Sequence, residues 1–420
     1  MGSHASLVLT WHRLHPPQGG AALRNWQNVR ALAELGPVDV VSIGAGPGGP
    51  PPPPVRRWTH FDLARLPAAR GPLAELRRRS WWIRPCAHPW SMALWHAEIV
   101  AEVKRMVQTG GSELVVLEEL WFHPYCELIR RLGCRTIFDA HNVEGPLRKE
   151  LASAELGFVA RLRNRRLTRQ VFALERDLVR RADQTWCCSA VDAGNLGCGA
   201  RGQRVHVIPN TVDVEHYRPV RDGSLAPPSA PRQRAPVIAF VGAYAYPPNE
   251  MAARILVQQV LPALEREHAD VSLLLVGRDP TAWMLEAART RRGVRVTGAV
   301  ADVRPHLAEA SVVAVPLTQG GGTRLKILEA FAARRPVVST PKGAEGLDAV
   351  NGQHLLLREI DGFAGAILAL LSDPTACTGL TERALAFVEQ HHSWPVAAAR
   401  VGAAVTELLQ PRPSAPTEPP

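Results

Sequence analysis

Three consecutive glycines, Gly320, Gly321 and Gly322, lie between a predicted strand that ends at Val315 and a predicted helix, 323–333. Glycine lets the main chain approach a ligand closely, and the N–H groups at a helix start attract anions. Arg324 and Lys326 place two positive charges in the first helical turn, where acids are usually favoured. A bound phosphate would remove that conflict. The pattern therefore favours a phosphate site over a glycine-rich turn with solvated bases.

Two further side chains could take part in chemistry. Glu329 lies five residues after Arg324 and could accept hydrogen bonds from sugar hydroxyl groups. His141 follows a short apolar segment, 136–139. For a histidine in that place, a capping or core role is the more common explanation, so His141 becomes a candidate only through the resemblance described below.

These residues need elements that hold them at the edge of a sheet. In the first half, strands are predicted at 6–10, 38–43, 113–117, 136–139 and 184–188. In the second half, they are predicted at 236–242, 271–276, 294–297, 311–315 and 336–339. Helical segments separate them, including 21–35 and 249–267. Apolar strands alternating with amphipathic helices predict parallel sheets covered on both faces, so we expect an α/β protein with two doubly wound, Rossmann-like domains.

The chain of 420 residues is too long for one ordinary core, which also predicts two domains. The predicted parts are an N-terminal domain (1–221), a linker rich in Pro, Ser, Arg and Ala (222–235), a C-terminal domain (236–390), a last helix (391–410) and a disordered tail (411–420). The segment 44–54 contains a formal G-x-G-x-x-G. A proline run follows it instead of a helix, so we interpret it as a loop without a ligand role.

The composition limits the classes of partner that we expect. A net charge of +10 indicates an anionic partner, with an arginine-rich composition as an equally good explanation. The sequence contains no helix-turn-helix, zinc finger or aromatic-basic platform, so we expect no nucleic acid partner. Seven scattered cysteines are typical of reduced thiols, and we expect a cytoplasmic protein without a secretory signal or a membrane-spanning run.

The segment 161–181 is predicted to be a helix with eight arginines, two acids and interleaved apolar residues. One interpretation is a face that contacts the inner membrane surface and brings the protein to a lipid-linked partner. The other is a solvated helix over the N-terminal sheet, which the sequence slightly favours because charge runs on helices usually face solvent.

Several segments resemble the family 4 glycosyltransferases. The segment 316–330, PLTQGGGTRLKILEA, is similar to their donor-site signature, in which seven residues separate two glutamates. Glu329 matches the second glutamate, whereas Gly321 stands at the first position, so that acid is absent. The similarity continues through 139–144, 207–213, 335–340, 343–347 and 352–356. It covers the chain from about Leu7 to Leu409 and implies a GT-B fold, in which two Rossmann-like domains face a cleft.

The resemblance implies transfer of a sugar from a nucleotide-diphosphate sugar to a glycan, lipid-linked or small-molecule acceptor, with retention of anomeric configuration. It assigns catalysis to His141, Arg324, Lys326 and Glu329. Its implied donor-binding residues are Gly19, Gly20, Gly242, Arg278, Gly298, Gly320, Gly321, Gly322, Thr323 and Leu325. Metal-dependent transferases use a D-x-D pair, which this sequence lacks, so we expect no metal and no cofactor.

Two other functions stay open at this point. A nucleotide-sugar epimerase of the same fold is expected to place acids for proton transfer at carbon. A scaffold with a degenerate donor site is suggested by the missing acid at Gly321. His141 and the GGGTR segment favour the transferase.

Overall fold

The computed structural model describes residues 3–17, 19–46, 48–66, 84, 86–151, 157–197, 204–228, 235–322 and 324–410. Contacts divide the chain into two compact units. The first comprises Met1–Gly145, Ala154–Ile208 and Ala397–Pro420, and the second comprises Pro146–Ser153 and Pro209–Val396.

A seven-stranded parallel sheet forms the centre of the first unit, in the order β3-β2-β1-β4-β5-β6-β7. Its strands are β1 (Ser6–Thr10), β2 (Val38–Gly44), β3 (Val55–Asp62), β4 (Leu114–Glu118), β5 (Arg135–Ala140), β6 (Gln184–Cys187) and β7 (Val205–Val207). Every residue of β1 and β4 is buried, as expected for central strands covered on both faces.

The helices between these strands are α1 (Gly20–Ala33), α2 (Pro89–Leu94), α3 (Ala97–Gly110), α4 (Cys126–Arg131), α5 (Glu144–Glu150), α6 (Phe158–Arg181) and α7 (Ala190–Asn195). Helix α3 shows why they pack on the sheet. Ile99, Val103, Met106 and Val107 follow helical spacing and are buried, while the opposite face carries charged residues.

The second unit is built on a six-stranded parallel sheet, in the order β10-β9-β8-β11-β12-β13. Its strands are β8 (Val237–Val241), β9 (Ser272–Val276), β10 (Val294–Val296), β11 (Val312–Val315), β12 (Val337–Ser339) and β13 (Leu356–Leu357). The remaining helices are α8 (Arg218–Arg221), α9 (Pro247–Ile255), α10 (Leu261–Glu265), α11 (Ala282–Thr290), α12 (Arg304–Glu309), α13 (Leu325–Ala332), α14 (Phe363–Ser372), α15 (Pro374–His391) and α16 (Trp394–Leu409).

The two parallel, doubly wound sheets confirm the predicted fold class. Strands β3 and β7 were not predicted. The single helix expected at 249–267 is instead α9, a π-helical segment (Leu256–Val260) and α10. Pro262 explains the interruption, because proline has no N–H to donate to the preceding turn.

The N-terminal part of the first unit extends to Ile208, whereas the N-terminal domain was predicted to extend to residue 221. Residues after Pro209 pack within the second unit. Tyr217 Oη donates to Glu329 Oε1 at 2.9 Å, and Arg221 Nη1 donates to Ala332 O at 2.8 Å. The described start of the predicted linker, 222–228, is mostly exposed and belongs to the second unit.

The last helix, α16, contributes residues from Ala397 onward to the first unit, where Gln184 Nε2 donates to Ala404 O at 2.7 Å. Part of the predicted linker, 229–234, and the predicted disordered tail, 411–420, lie outside the described residues.

Within the described ranges, no single helix combines the length and the apolar character needed to cross a bilayer. One pair bent by 103°, Ile360–Ser372 with Pro374–His391, reaches that length and composition only when the two helices are taken together.

Candidate active site

Four glycine-containing turns of the second unit follow neighbouring strands. Gly298 follows β10, Gly277 and Arg278 follow β9, Gly242 follows β8, and the Gly320 loop follows β11. Parallel strands place their carboxyl ends at one edge of a sheet, where α/β proteins bind ligands. The structure therefore brings most of the predicted donor-binding residues to the same edge.

The turns after β8 and β9 lie in close contact, and only glycine fits between them. A Cβ atom at Gly277 would lie 1.8 Å from the carbonyl oxygen of Gly242, and Gly277 has a φ of +144°. Tyr244 N donates to Arg278 O at 3.0 Å, and Gly277 N donates to Thr297 Oγ1 at 3.2 Å. These bonds fix the main chain that would line a nucleotide site.

Arg324 holds the shape of the glycine loop. Its buried guanidinium donates to the carbonyl oxygen of Gly320 through Nη2 at 2.6 Å and to that of Gly321 through Nη1. Gly320 has a φ of +111°, in the region that favours glycine. Arg324 therefore brings its charge to the loop and also positions the loop's main chain. It is the N-cap residue of α13, which begins at Leu325 and not at residue 323 as predicted.

A carboxylate already contacts this loop. Glu150 Oε1 accepts a hydrogen bond from Gly320 N at 3.2 Å, and Glu150 Oε2 lies 3.4 Å from Lys342 Nζ. Lys342 also pairs with Glu345 at 2.6 Å. The main-chain N–H of Gly320 thus binds an anionic oxygen, which is the property that a phosphate site requires.

Lys326 is a half-buried cation with no ion pair among the described residues. Its Nζ donates to Asn249 Oδ1 at 2.7 Å and lies 4.2 Å from the centre of the Phe240 ring. Burial, together with the nearby charge of Arg324, lowers the pKa of Lys326 to about 7. An anionic ligand would compensate this charge.

Glu329 is half-buried one turn further along α13 and accepts the hydrogen bond from Tyr217 Oη. Burial raises its pKa to about 7, against the opposing effects of Tyr217 and Lys326. Near neutral pH its carboxyl group can therefore act as acceptor or donor toward a hydroxyl group.

The remaining predicted donor-binding residues in the second unit have fewer contacts that bear on a ligand site. The Arg278 side chain is half exposed, with its Nε 3.8 Å from Asp279 Oδ2. Leu325 is buried, and Gly298 O accepts from Thr297 Oγ1 at 2.7 Å. Thr323 lies outside the described residues.

In the first unit, Gly19 and Gly20 form the exposed start of α1, and Gly19 has a φ of +91°. One turn later, Arg24 is buried. Its Nε donates to Asp139 Oδ2 at 2.7 Å and its Nη1 donates to Ile208 O at 2.8 Å. Arg24 Nη2 also donates to Asp139 Oδ1. The resulting bidentate ion pair fixes the first turn of α1 against the end of β5.

His141 follows β5 and is buried among three carboxyl groups. Its Nε2 lies 2.8 Å from Glu118 Oε2 and 3.3 Å from Asp139 Oδ2, and its Nδ1 lies 3.4 Å from Glu119 Oε1. Burial opposes protonation, but the three carboxyl groups raise the pKa of His141 well above its usual value. His141 is therefore an imidazolium at neutral pH.

The carboxyl groups around His141 differ in charge. Burial and the nearby Asp139 raise the pKa of Glu118 to about 7. Burial would also raise the pKa of Glu119, but hydrogen bonds from His12 and His141 lower it to about 2. Glu119 is thus ionised, and its φ of +83° is uncommon for a residue with a side chain.

Glu118, Asp139 and His141 have potential metal-ligand atoms within 4.8 Å of one another. The protein itself already binds these atoms: Arg24 forms a fork with Asp139, and Asn28 Nδ2 donates to Glu118 at 3.1 Å and to Asp139 at 2.9 Å. The donor set fits a shared-proton network better than a metal, because a cation would have to displace Arg24.

Several residues of these two clusters were not predicted. Glu118 and Glu119 follow a predicted strand, so their position at a strand end was a usable signal. Tyr217, Asn249 and Glu150 gave no such signal, because they reach their partners from distant parts of the chain.

Comparison with known proteins agrees with this architecture. The family described as Glycosyl transferase 4-like domain matches residues 19–211, and Glycosyl transferases group 1 matches residues 235–373. A glycogen synthase of Mycobacterium tuberculosis (strain H37Rv) is 26% identical over 302 residues, which are 68% of this chain and 68% of that protein.

Solved structures share the fold at low identity. Sucrose-phosphate synthase from Thermosynechococcus elongatus gives a TM-score of 0.70 at 18% identity, covering 96% of this chain and 99% of that one. Anabaena HepE in complex with UDP-glucose gives a TM-score of 0.66 at 16% identity, covering 96% and 99%. The two family matches together take in most of the chain, and the chain therefore belongs to the family 4 glycosyltransferases and is a glycosyltransferase.

Proposed function

We propose that this enzyme transfers a sugar from a nucleotide-diphosphate sugar to a hydroxyl group of an acceptor, with retention of anomeric configuration and without a metal. The observation that carries the proposal is the desolvated cation Lys326 beside the Gly320 loop. Lys326 has no ion pair among the described residues, and Arg324 holds the neighbouring loop through its carbonyl groups. A nucleoside diphosphate is a ligand that matches this charge.

The loop and its cations are suited to the leaving group. Negative charge develops on the diphosphate as the glycosidic bond breaks, and fixed cations and N–H groups stabilise it without reorganisation. Arg324 and Lys326 supply the cations, and the Gly320 loop supplies the N–H groups. Complexes of Anabaena HepE with UDP and with UDP-glucose make UDP-sugars the first donors to test.

Glu329 is a candidate for binding the donor sugar. The carboxyl group of Glu329, fixed by Tyr217, is placed to bind hydroxyl groups of the donor sugar. The family resemblance assigns His141 a contact with the transferred sugar, and the three carboxyl groups around it raise its pKa well above the usual value. The family resemblance implies retention with the acceptor attacking on the leaving-group face, and this route needs no protein nucleophile.

The test is a thermal-shift panel of UDP-, GDP-, ADP- and dTDP-sugars, each with and without EDTA. A ligand that binds only the folded state must raise its stability. We expect one nucleotide to shift the wild type regardless of EDTA, and product analysis by NMR to show the donor's anomeric configuration. A shift that EDTA removes would contradict metal independence, and a folded sample with no shift would support a degenerate scaffold.

We also propose that helix α6 contacts an anionic membrane surface. Phe158, Val159 and Leu162 are 75%, 78% and 54% exposed, and the arginines Arg161, Arg163, Arg165, Arg166 and Arg169 surround them. Residues 158–163 at the start of this helix are all exposed, and its buried residues begin only at Gln170. Apolar side chains flanked by arginine are typical of helices that lie in a lipid interface.

Vesicle sedimentation tests this contact. We expect binding to phosphatidylglycerol vesicles, little binding to phosphatidylcholine vesicles, and a loss of about tenfold for Leu162→Glu. Leu285→Glu, at an exposed apolar position of α11, is the matched control and should bind normally. Equal binding to both vesicle types, or none, would leave α6 as a solvated helix.

A further inference from the structure

Three tryptophans lie at the carboxyl edge of the first sheet. Trp11 directly follows β1, Trp121 lies three residues after the end of β4, and Trp90 lies at the start of α2. Strands β1 and β4 are parallel neighbours, so the segments that follow them leave the sheet side by side. This is the edge of a parallel sheet at which ligands are bound.

Trp90 presents a rigid aromatic face to solvent. It is 54% exposed, whereas Trp121 beneath it is only 5% exposed. The rings of Trp90 and Trp121 are 5.0 Å apart and meet edge to face, and Trp11 lies nearly parallel to Trp90 at 6.1 Å. His88 accepts a hydrogen bond from Trp90 N at 3.3 Å, which fixes the start of the helix. An exposed aromatic ring that two other rings hold in place can stack on a flat ligand face.

Charged groups neighbour these tryptophans in the chain. His12 follows Trp11 directly, and its Nε2 lies 3.3 Å from Glu119 Oε1. The same oxygen lies 3.4 Å from His141 Nδ1, so a single carboxylate links both histidines. The strained backbone of Glu119 directs this carboxylate, and strain of this kind occurs mostly at functional sites.

We propose that Trp90 and Trp11 form an acceptor subsite for a sugar ring. This inference rests on the proposed transferase function and names its acceptor class. The C–H groups on one face of a pyranose carry partial positive charge and pack on the negative face of an aromatic ring. The hydroxyl groups around the rim of the sugar then reach the polar residues His12 and Glu119.

A saccharide fits this surface better than an apolar partner. An apolar partner offers no hydrogen-bonding group to His12 and Glu119, the polar residues that neighbour these tryptophans in the chain. Hydroxyl groups of a sugar can instead replace the water around that carboxylate. Ligand sites commonly combine an apolar wall with a few polar groups in this way.

The experiment compares wild type, Trp90→Ala, Trp90→Phe and the matched control Leu285→Ala on a broad glycan array. Binding of UDP, GDP, ADP and dTDP is measured on the same samples as the check on folding and on the donor site. We expect wild type to bind a group of related saccharides and Trp90→Ala to bind them about tenfold more weakly. Trp90→Phe should retain most of the affinity, and Leu285→Ala and all nucleotide binding should be unchanged.

The outcomes separate the two proposals. No saccharide binding by a wild type that binds a nucleotide, or equal saccharide binding by Trp90→Ala, would overturn the acceptor subsite and leave the donor proposal standing. Saccharide binding that depends on Trp90, in a protein that binds no nucleotide, would support the subsite and reject the donor proposal.

Discussion

Each unit buries charged side chains at the carboxyl edge of its sheet, and the two clusters balance their charges differently. In the first unit, Arg24 forms a fork with Asp139, and His141 lies among carboxyl groups of both neighbouring strands. In the second unit, Lys326 meets an amide oxygen and an aromatic ring, and the pKa of the nearest acid, Glu329, is raised to about 7.

This difference in charge pairing indicates which cluster stabilises the fold and which one binds a ligand. A cluster whose charges are already paired holds its neighbours in place and gains little from a ligand. A cluster with excess charge is destabilising until a ligand of opposite charge binds, so perturbed groups of this kind mark functional sites. We therefore propose that the first cluster mainly holds residues such as His141 in position and that the second binds the anionic part of the donor.

The largest effect should come from unpairing the first cluster. Asp139→Asn removes the partner of buried Arg24, and breaking a buried pair in this way costs about 3–5 kcal/mol of unfolding free energy. Urea unfolding followed by tryptophan fluorescence measures it, since most tryptophans belong to the first unit. Glu127→Gln, which breaks only surface pairs with Arg130 and Arg131, is the control and should unfold as wild type. A normal midpoint for Asp139→Asn would refute the structural role of this cluster.

Removing the excess charge in the second cluster should have the opposite effect on stability. Lys326→Met should lower kcat/KM for the donor by about 10²–10³, the usual loss when one fixed stabilising group is removed. The melting temperature should stay constant or rise, because a desolvated cation is replaced by an apolar chain. Lys104→Met on α3 is the matched control, with normal activity expected. A large fall in melting temperature would show that Lys326 is structural.

The pH dependence of the donor reaction should report Lys326. Because the pKa of Lys326 is lowered to about 7, its amine loses the proton above that pH, and attraction for the diphosphate falls. We expect kcat/KM to decrease by up to about tenfold per pH unit on the alkaline side. The alkaline decrease of kcat should occur at higher pH, because bound diphosphate favours the charged form of Lys326. Glu329 titrates in the same range, so the variants Glu329→Gln and Lys326→Arg are needed to separate the two groups. Only Lys326→Arg should remove the alkaline limb.

Much of the second cluster could be predicted from sequence because its residues are close together in the chain. Gly320, Arg324, Lys326 and Glu329 lie on one loop and one helix, and helix geometry alone predicts their shared neighbourhood. The first cluster joins residues that are far apart: Arg24 and Asp139 are separated by 115 positions. No local pattern predicts such a pairing, although His141 and Asp139 belong to a segment, 139–144, that resembles the family 4 glycosyltransferases.

The missed strand β3 has a similar explanation. Its residues after Val55 are mostly half-buried and include Arg56 and Arg57, so it lacks the apolar run of a central strand. Both arginines donate to Asp39, a buried acid on the neighbouring strand β2. An edge strand that is stabilised by charges of its neighbour shows no apolar alternation, and a search for apolar periodicity therefore passes over it.

The smallest effect tests whether the excess charge of the second cluster is already partly compensated. Glu150 contacts Gly320 N at 3.2 Å and Lys342 at 3.4 Å, the kind of groups that a diphosphate would use. Glu150→Gln should therefore bind the donor nucleoside diphosphate about threefold more tightly, since partly exposed ion pairs contribute little, and high salt should reduce the gain. Glu345→Gln removes the other partner of Lys342 without touching the loop, so it reports the effect of freeing Lys342 alone. Calorimetry measures both affinities. Weaker binding by Glu150→Gln would show that this carboxylate contacts the donor itself. The second cluster would then no longer differ from the first by having positive charge available for a ligand.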